Sequence, residues 1–169
     1  LLKEYEPKNI GIYGSSAGAV LTAQSIARFQ KEGLPLPAAT GMLAAAAYYW
    51  MEGDSGHIGS AIAGITTDAV GLDQDLYFKG VNPNDALAFP GRHPDILAKF
   101  PPSLLVSSTR DFGLSSVVKT HAELIKLGVQ ADLHVWEGLD HVFYFDSILP
   151  ESLEVYNVVV KFFDQHFGE

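Results

Sequence analysis

The stretch from Lys8 to Glu32 constrains the fold more than any other part of the chain. Lys8 to Tyr13 (KNIGIY) is a short apolar run that reads as a buried strand ending at Gly14. From Ala17 to Glu32, Val20, Ala23, Ile26 and Ala27 recur at helical spacing. Gly33 stands where that helix stops, and Pro35 and Pro37 follow it. Only Gly14-Ser15-Ser16 separates strand from helix. So short a junction implies a βα unit, with the helix packed back on the sheet.

The rest of the chain repeats that alternation, with one interruption. Thr40 to Trp50 (TGMLAAAAYYW) is a continuous apolar run whose place between helices favours a central strand. Glu52 to Phe100 is different in kind, rich in Gly, Asp, Pro and Asn, with short helical stretches such as Asp73 to Lys79. It reads as an insertion or lid, closed by Pro101-Pro102. Ser103 to Ser108 (SLLVSS) is a buried strand. Ser115 to Leu127 is a helix with Val117, Val118, His121, Leu124 and Ile125 on one face, stopped by Gly128. Ala131 to Trp136 (ADLHVW) is the last strand. Glu151 to Phe167 is a closing helix with Leu153, Tyr156, Val160, Phe163 and Phe167 as its apolar stripe. The expected architecture is α/β, one domain over residues 1–169. About four parallel strands carry flanking helices, with a lid or cap insertion at about 52–100. The order in space should follow the order in sequence, and ligands should sit beyond the carboxyl ends of the strands.

Composition narrows the partners. Hydrophobic residues make up 47% and charged residues 18%, the balance of a globular chain rather than a disordered one. The net charge of −9, with no Lys/Arg cluster, argues against nucleic acid, whose phosphates need a basic surface. No cysteine is present, which excludes disulfides and thiolate metal sites. The longest apolar run, Met42 to Met51, falls short of the roughly 20 residues that span a bilayer.

Gly14-Ser15-Ser16-Ala17-Gly18 is a G-x-S-x-G motif. Alone it arises by chance in about one chain in twenty of this length. Between a strand and a helix it becomes a nucleophile elbow, which lifts the serine hydroxyl above the sheet and aims the Ala17 N–H at the same point. A glycine-rich βα turn or a phosphate-binding loop is the alternative. A serine nucleophile needs a base. His121 lies on a helix face, His134 within a strand and His166 in a last helical turn, while His57 and His93 lie in the insertion, where either could line a pocket. His141 alone follows a strand by a short loop, Glu137-Gly138-Leu139-Asp140. Asp111 follows Ser103 to Ser108 through Thr109-Arg110, a neighbouring strand end from which to orient His141; Asp140, Asp146 and Glu137 are less well placed. The order Ser, Asp, His differs from that of the two common serine protease types.

These residues resemble those of the hormone-sensitive-lipase-like esterases, a branch of the α/β-hydrolase fold. GSSAGAVL is similar to the family's nucleophile segment, commonly GDSAGGNL, with Ser15 where Asp is frequent and Ala19 where Gly is frequent. GLPLP at Gly33 to Pro37, YFKGVNPNDALA at Tyr77 to Ala88, PPSLLVSSTRD before the acid and GLDHVF around the histidine also resemble family segments. The resemblance covers nearly the whole chain. It implies Ser16 as nucleophile, Asp111 as acid and His141 as base, small or short-acyl esters as substrates, no metal or cofactor, and a cytoplasmic location. The family also carries an upstream His-Gly-Gly-Gly stretch that completes the oxyanion hole, and nothing here resembles it. With Leu1-Leu2-Lys3 in place of an initiator Met or signal peptide, the expectation is the carboxy-terminal portion of a hydrolase domain with impaired activity. Such a portion would expose the edge of strand 8–13 to self-association or to pairing with an amino-terminal half. A non-catalytic ligand-binding protein or complementing half is the competing expectation.

Overall fold

Four short runs pair into one parallel sheet: β1 (Gly11–Ser15), β2 (Ala39–Leu43), β3 (Ser103–Ser108) and β4 (Ala131–Trp136). The computed structural model describes residues 3–62 and 71–168, so Leu1, Leu2 and part of the expected insertion lie outside the described residues. Gly11 pairs with Ala39, Thr40 with Ser103, and Ser103 with Ala131, so spatial order follows sequence order. Among the described residues β1 and β4 are the edges, and every residue of β2 and β3 is buried. That central position explains their unbroken apolar character.

Side chains alternate across the sheet. Met42 and Leu105 face one core, with Ala19, Ala23 and Ile26 of α1 (Ala17–Glu32) and Val117 and Leu124 of α4 (Leu114–Lys126). Leu43, Leu104 and Val106 face the other, with Val155, Val159 and Phe162 of α5 (Pro150–His166). Two helices on one face and one on the other make three layers. Helix α1 ends as its sequence implies, with Gly33 left-handed at φ 65° and the Leu34 N–H returned to the Phe29 carbonyl.

Several expectations shift. The first strand begins at Gly11, because Pro7–Asn9 forms a 3₁₀ turn, and it runs on to Ser15. The expected strand Thr40 to Trp50 stops at Leu43. Ala44 takes φ 64° while its N–H still reaches the Val106 carbonyl, and the chain then turns over the end of the sheet. Residues 44–49 remain buried without being a strand, so their backbone needs other partners. Helix α4 supplies them: the Ala47 N–H donates to Thr120 Oγ1 and Ser116 Oγ donates to the Tyr48 carbonyl. The buried face of α4 is therefore Ser116, Val117, Thr120 and Leu124, with Val118 and Ile125 outside. Helix α5 is rotated from the expected stripe. Ser152, Val155, Val159, Phe162 and Phe163 are buried, whereas Leu153, Tyr156, Val160 and Phe167 are exposed.

In the Glu52 to Phe100 segment, Asp73 to Lys79 forms successive turns rather than a helix, and a helix α2 (Asp54–Ile62) stands where none is expected. Its glycines permit a close approach: a Cβ at Gly59 would lie 2.8 Å from the Phe112 backbone. Ser55 and Ser115 exchange hydrogen bonds with each other's N–H at 2.8 and 3.1 Å, and Ser55 Oγ donates to the Phe112 carbonyl. A single-turn helix, α3 (Pro94–Leu97), closes the segment.

Glu52 anchors the start of that segment. It accepts from Arg92 at 3.0 Å and Lys119 at 2.6 Å, and the Lys119 ammonium lies 4.1 Å from the Tyr48 ring centroid. Burial raises the Glu52 pKa, but the hydrogen bonds from Lys119 and Arg92 outweigh it and hold the carboxyl below its ordinary 4.5. The cluster thus stabilises the fold fully above that ordinary value, and the contribution is lost as pH falls through the lowered one. Glu52→Gln is expected to cost about 1 kcal/mol at neutral pH for this partly exposed cluster. Urea titrations of both proteins should show the gap closing below the ordinary Glu range; a constant gap would refute the assignment.

Candidate active site

Three loops at the carboxyl ends of β1, β3 and β4 meet at one point. The first is the turn from β1 into α1, made in a single residue. Ser16 has φ 55° and ψ −119°, a conformation that side-chain-bearing residues rarely adopt, and its N–H donates to the Leu43 carbonyl at 2.8 Å. The turn leaves no room around Gly14, where an added Cβ would lie 2.2 Å from the Gly18 carbonyl oxygen. Gly18 has nothing within 4 Å of its own Cβ position, so the two motif glycines are not equivalent. Gly14→Ala is expected to cost about 3 kcal/mol or more by forcing the turn apart, whereas Gly18→Ala should change stability by no more than about 1 kcal/mol. Thermal denaturation of the pair decides it, and equal losses would contradict the geometry.

The second loop carries Asp111, 1% exposed. Its Oδ1 accepts from the Gly113 N–H and from His141 Nδ1, each at 2.7 Å, and its Oδ2 accepts from Ser107 Oγ at 2.9 Å. Gly113 is required here too, because a Cβ would fall 2.1 Å from the Ala44 carbonyl oxygen. The third loop carries His141. It is tied to the second by Ser108 Oγ donating to the Asp140 carbonyl, the Arg110 N–H to the Leu139 carbonyl and the Gly138 N–H to Thr109 Oγ1. Val142, left-handed at φ 54°, then turns the chain away. The imidazole stacks on Phe112, with centroids 4.0 Å apart and planes 27° from parallel.

His141 Nε2 lies 2.8 Å from Ser16 Oγ. Asp111 can only accept, which puts the imidazole proton on Nδ1 and leaves Nε2 to accept from the Ser16 hydroxyl. The unit runs without a break: carboxylate, imidazole, hydroxyl. It opens into a cavity of about 430 Å³ lined mainly by apolar groups, among them Ala17, Val20, Leu21, Trp50, Phe78 and Phe112, with Ser16 and His141 at its wall. Ala17, which lines that space, opens α1 beside Ser16, so its N–H is one of the amides of a helix N-terminus.

The structure thus brings Ser16 and Asp111 within hydrogen-bond reach of His141. It does not bring in the other histidines, none of which lines this cavity. His57 is exposed on α2, and His93 precedes α3 with a buried, unpartnered Nε2. His121 Nε2 lies 3.3 Å from the Ala131 carbonyl oxygen, His134 packs near Trp136, and His166 lies against Phe162. Among the described residues, no group of three or more His, Cys, Asp or Glu could hold a metal ion, and no helix is long and apolar enough to cross a membrane.

Sequence reasoning missed Ser107, Phe112, Gly113 and Tyr144. Gly113 carried a readable signal, since an Asp two residues before a Gly commonly accepts its N–H. Tyr144 carried none. It is 2% exposed and its hydroxyl lies 2.5 Å from Ser15 Oγ, joining the elbow to the histidine loop. Burial pushes that phenol's pKa up, against the lowering effect of the Ser15 hydrogen bond.

The profile of a family described as the alpha/beta hydrolase fold matches residues 2–145. This chain is an α/β-hydrolase. The solved structures similar to this α/β-hydrolase include the esterase E25, at 32% identity and TM-score 0.85, with 98% of this chain and 51% of that one covered. A double mutant of the esterase E40 follows at 28% and 0.86, with coverages of 99% and 56%. An esterase from the bacterial hormone-sensitive lipase family matches at 27% and 0.83, again with 99% and 56% covered. The hormone-sensitive-lipase-like resemblance read from the motifs agrees with these neighbours. The α/β-hydrolase described here spans about half the length of those relatives. No match to a curated protein was found.

Proposed function

We propose that this α/β-hydrolase is a serine carboxylic-ester hydrolase acting on small or short-acyl esters. The observation that carries the reading is the unbroken relay from Asp111 through His141 to Ser16 at the wall of an apolar cavity. His141 takes the Ser16 proton as the oxygen attacks the ester carbonyl, and Asp111 stabilises the imidazolium that forms. The carbonyl oxygen becomes an oxyanion that the Ala17 N–H can hold. Collapse of the tetrahedral intermediate expels the alcohol, which takes the proton back from His141. A water molecule, deprotonated by His141, then attacks the acyl-serine, releases the acid and restores the hydroxyl.

Loss of one oxyanion donor costs about 100- to 1,000-fold in rate, and Ala17 is the one donor assigned among the described residues. We infer that full turnover draws on a second amide donor beyond Ala17.

The test is covalent labelling with an alkyl fluorophosphonate, read by intact mass and peptide mapping, alongside hydrolysis of 4-nitrophenyl butyrate. One adduct on Ser16 supports the assignment, and faster labelling after addition of an upstream family segment supports the shared oxyanion hole. Labelling elsewhere, or none with or without that segment, refutes the reading.

A further inference from the structure

The cavity beside Ser16 has one lining residue that its apolar character does not explain. Of its twelve lining residues, Asp75 alone is an acid and none is Lys or Arg. Among the described residues Asp75 belongs to no ion pair. What holds it is neutral: its Oδ2 accepts from Trp50 Nε1 at 2.8 Å and from the Tyr49 hydroxyl at 3.3 Å, and its Oδ1 accepts from the Tyr77 N–H at 2.9 Å. Three donors from three residues fix its orientation, yet they leave its charge uncompensated. The Tyr49 phenol registers that charge, its pKa raised first by burial and next by Asp75.

We propose that Asp75 makes this a charge-selective pocket, admitting esters whose buried portion is neutral or cationic and excluding those that carry a carboxylate there. The proposal rests on the cavity being the substrate pocket, and it names the class of ester that pocket takes. The physical reason is the setting. Apolar walls such as Val20, Leu21, Phe78 and Phe112 supply few dipoles to screen a second charge, so an anion entering meets Asp75 at a low effective dielectric. At an effective dielectric near 20, two charges about 7 Å apart interact strongly enough to shift affinity by more than tenfold. The long-range field of the −9 chain is a separate effect, because ~0.15 M salt screens charges more than about 8 Å away.

The experiment needs no turnover, so its outcome is separate from that of the Ser16 labelling. Binding of 4-phenylbutylamine, 4-phenylbutanamide and 4-phenylbutyrate, which share one apolar body, is measured by calorimetry at neutral pH and physiological salt. The carboxylate should bind about tenfold or more weaker than the amide, and the amine severalfold tighter. Asp75→Asn removes the charge and keeps one acceptor oxygen, which can still take the Trp50 and Tyr49 donors, so the three affinities should converge to within about threefold. Equal binding of amide and carboxylate by the unaltered chain overturns the proposal, whether or not the variant folds. A ranking that survives in Asp75→Asn assigns the selectivity elsewhere, and no binding by any of the three removes the pocket from consideration. If Ser16 resists labelling while the ranking holds, the esterase reading fails and the charge-selective pocket stands.

Discussion

On the proposed mechanism, ester turnover should fall by about 10⁵-fold or more in Ser16→Ala, the scale expected when a nucleophile is removed from a unit that works only as a whole. The loss should appear entirely in kcat, with the fold intact, since the hydroxyl's recorded hydrogen-bond partner is His141. A companion substitution separates chemistry from architecture. Ser16 sits at φ 55°, where glycine is favoured. Ser16→Gly should therefore be as inactive as Ser16→Ala and yet more stable, by about 1 kcal/mol or more from released backbone strain. Thermal unfolding and 4-nitrophenyl butyrate hydrolysis on the same samples test both halves. Substantial residual hydrolysis in either variant would mean that another group is the nucleophile.

The next largest effect belongs to Asp111. Asp111→Asn is expected to lower kcat by about 10⁴-fold with KM nearly unchanged, because an amide can turn a donor toward His141 and invert the imidazole tautomer. Asp111→Ala has an added structural cost. It strands the Gly113 N–H, the Ser107 hydroxyl and His141 Nδ1 in a site that is 1% exposed. Leaving such donors without an acceptor costs about 1–3 kcal/mol each. The order of stability should be unaltered chain, then Asn, then Ala, read from urea midpoints. A variant at position 111 that keeps its rate would remove Asp111 from the relay.

The candidate site was more legible than the packing around it. Ser16, Asp111 and His141 could be read because each follows a strand that its own residues define, and parallel strands deliver their loops to one end of a sheet. The face of α5 could not be read. Val155, Val159 and Phe162 compete with Leu153, Tyr156 and Val160 in the same seventeen residues, and periodicity does not choose a phase when two faces are both apolar. Helix α2 was hidden by Gly53, Gly56 and Gly59. Those glycines disfavour a helix locally and become useful only through close approaches: Gly59 to the Phe112 backbone at 2.8 Å from a would-be Cβ, Gly56 to the Met51 carbonyl oxygen at 2.6 Å and Gly53 to the Ser115 side chain at 2.7 Å. The run Ala44 to Trp50 carried the apolar signature of a strand because it is buried like one, while Ser116 and Thr120 on a distant helix serve its backbone. In each miss the deciding partner lies far along the chain.

The same separation sets a timetable. Ser16 and His141 are 125 residues apart and share one hydrogen bond. During synthesis at about 5–20 residues per second, the serine turn emerges roughly 6–25 s before the residue that activates it. Residue 168 arrives later still and returns to the approach of β1, where the Gly168 N–H donates to the Lys8 carbonyl. A ribosome stalled before residue 141 therefore holds a serine turn whose imidazole partner has not yet been made.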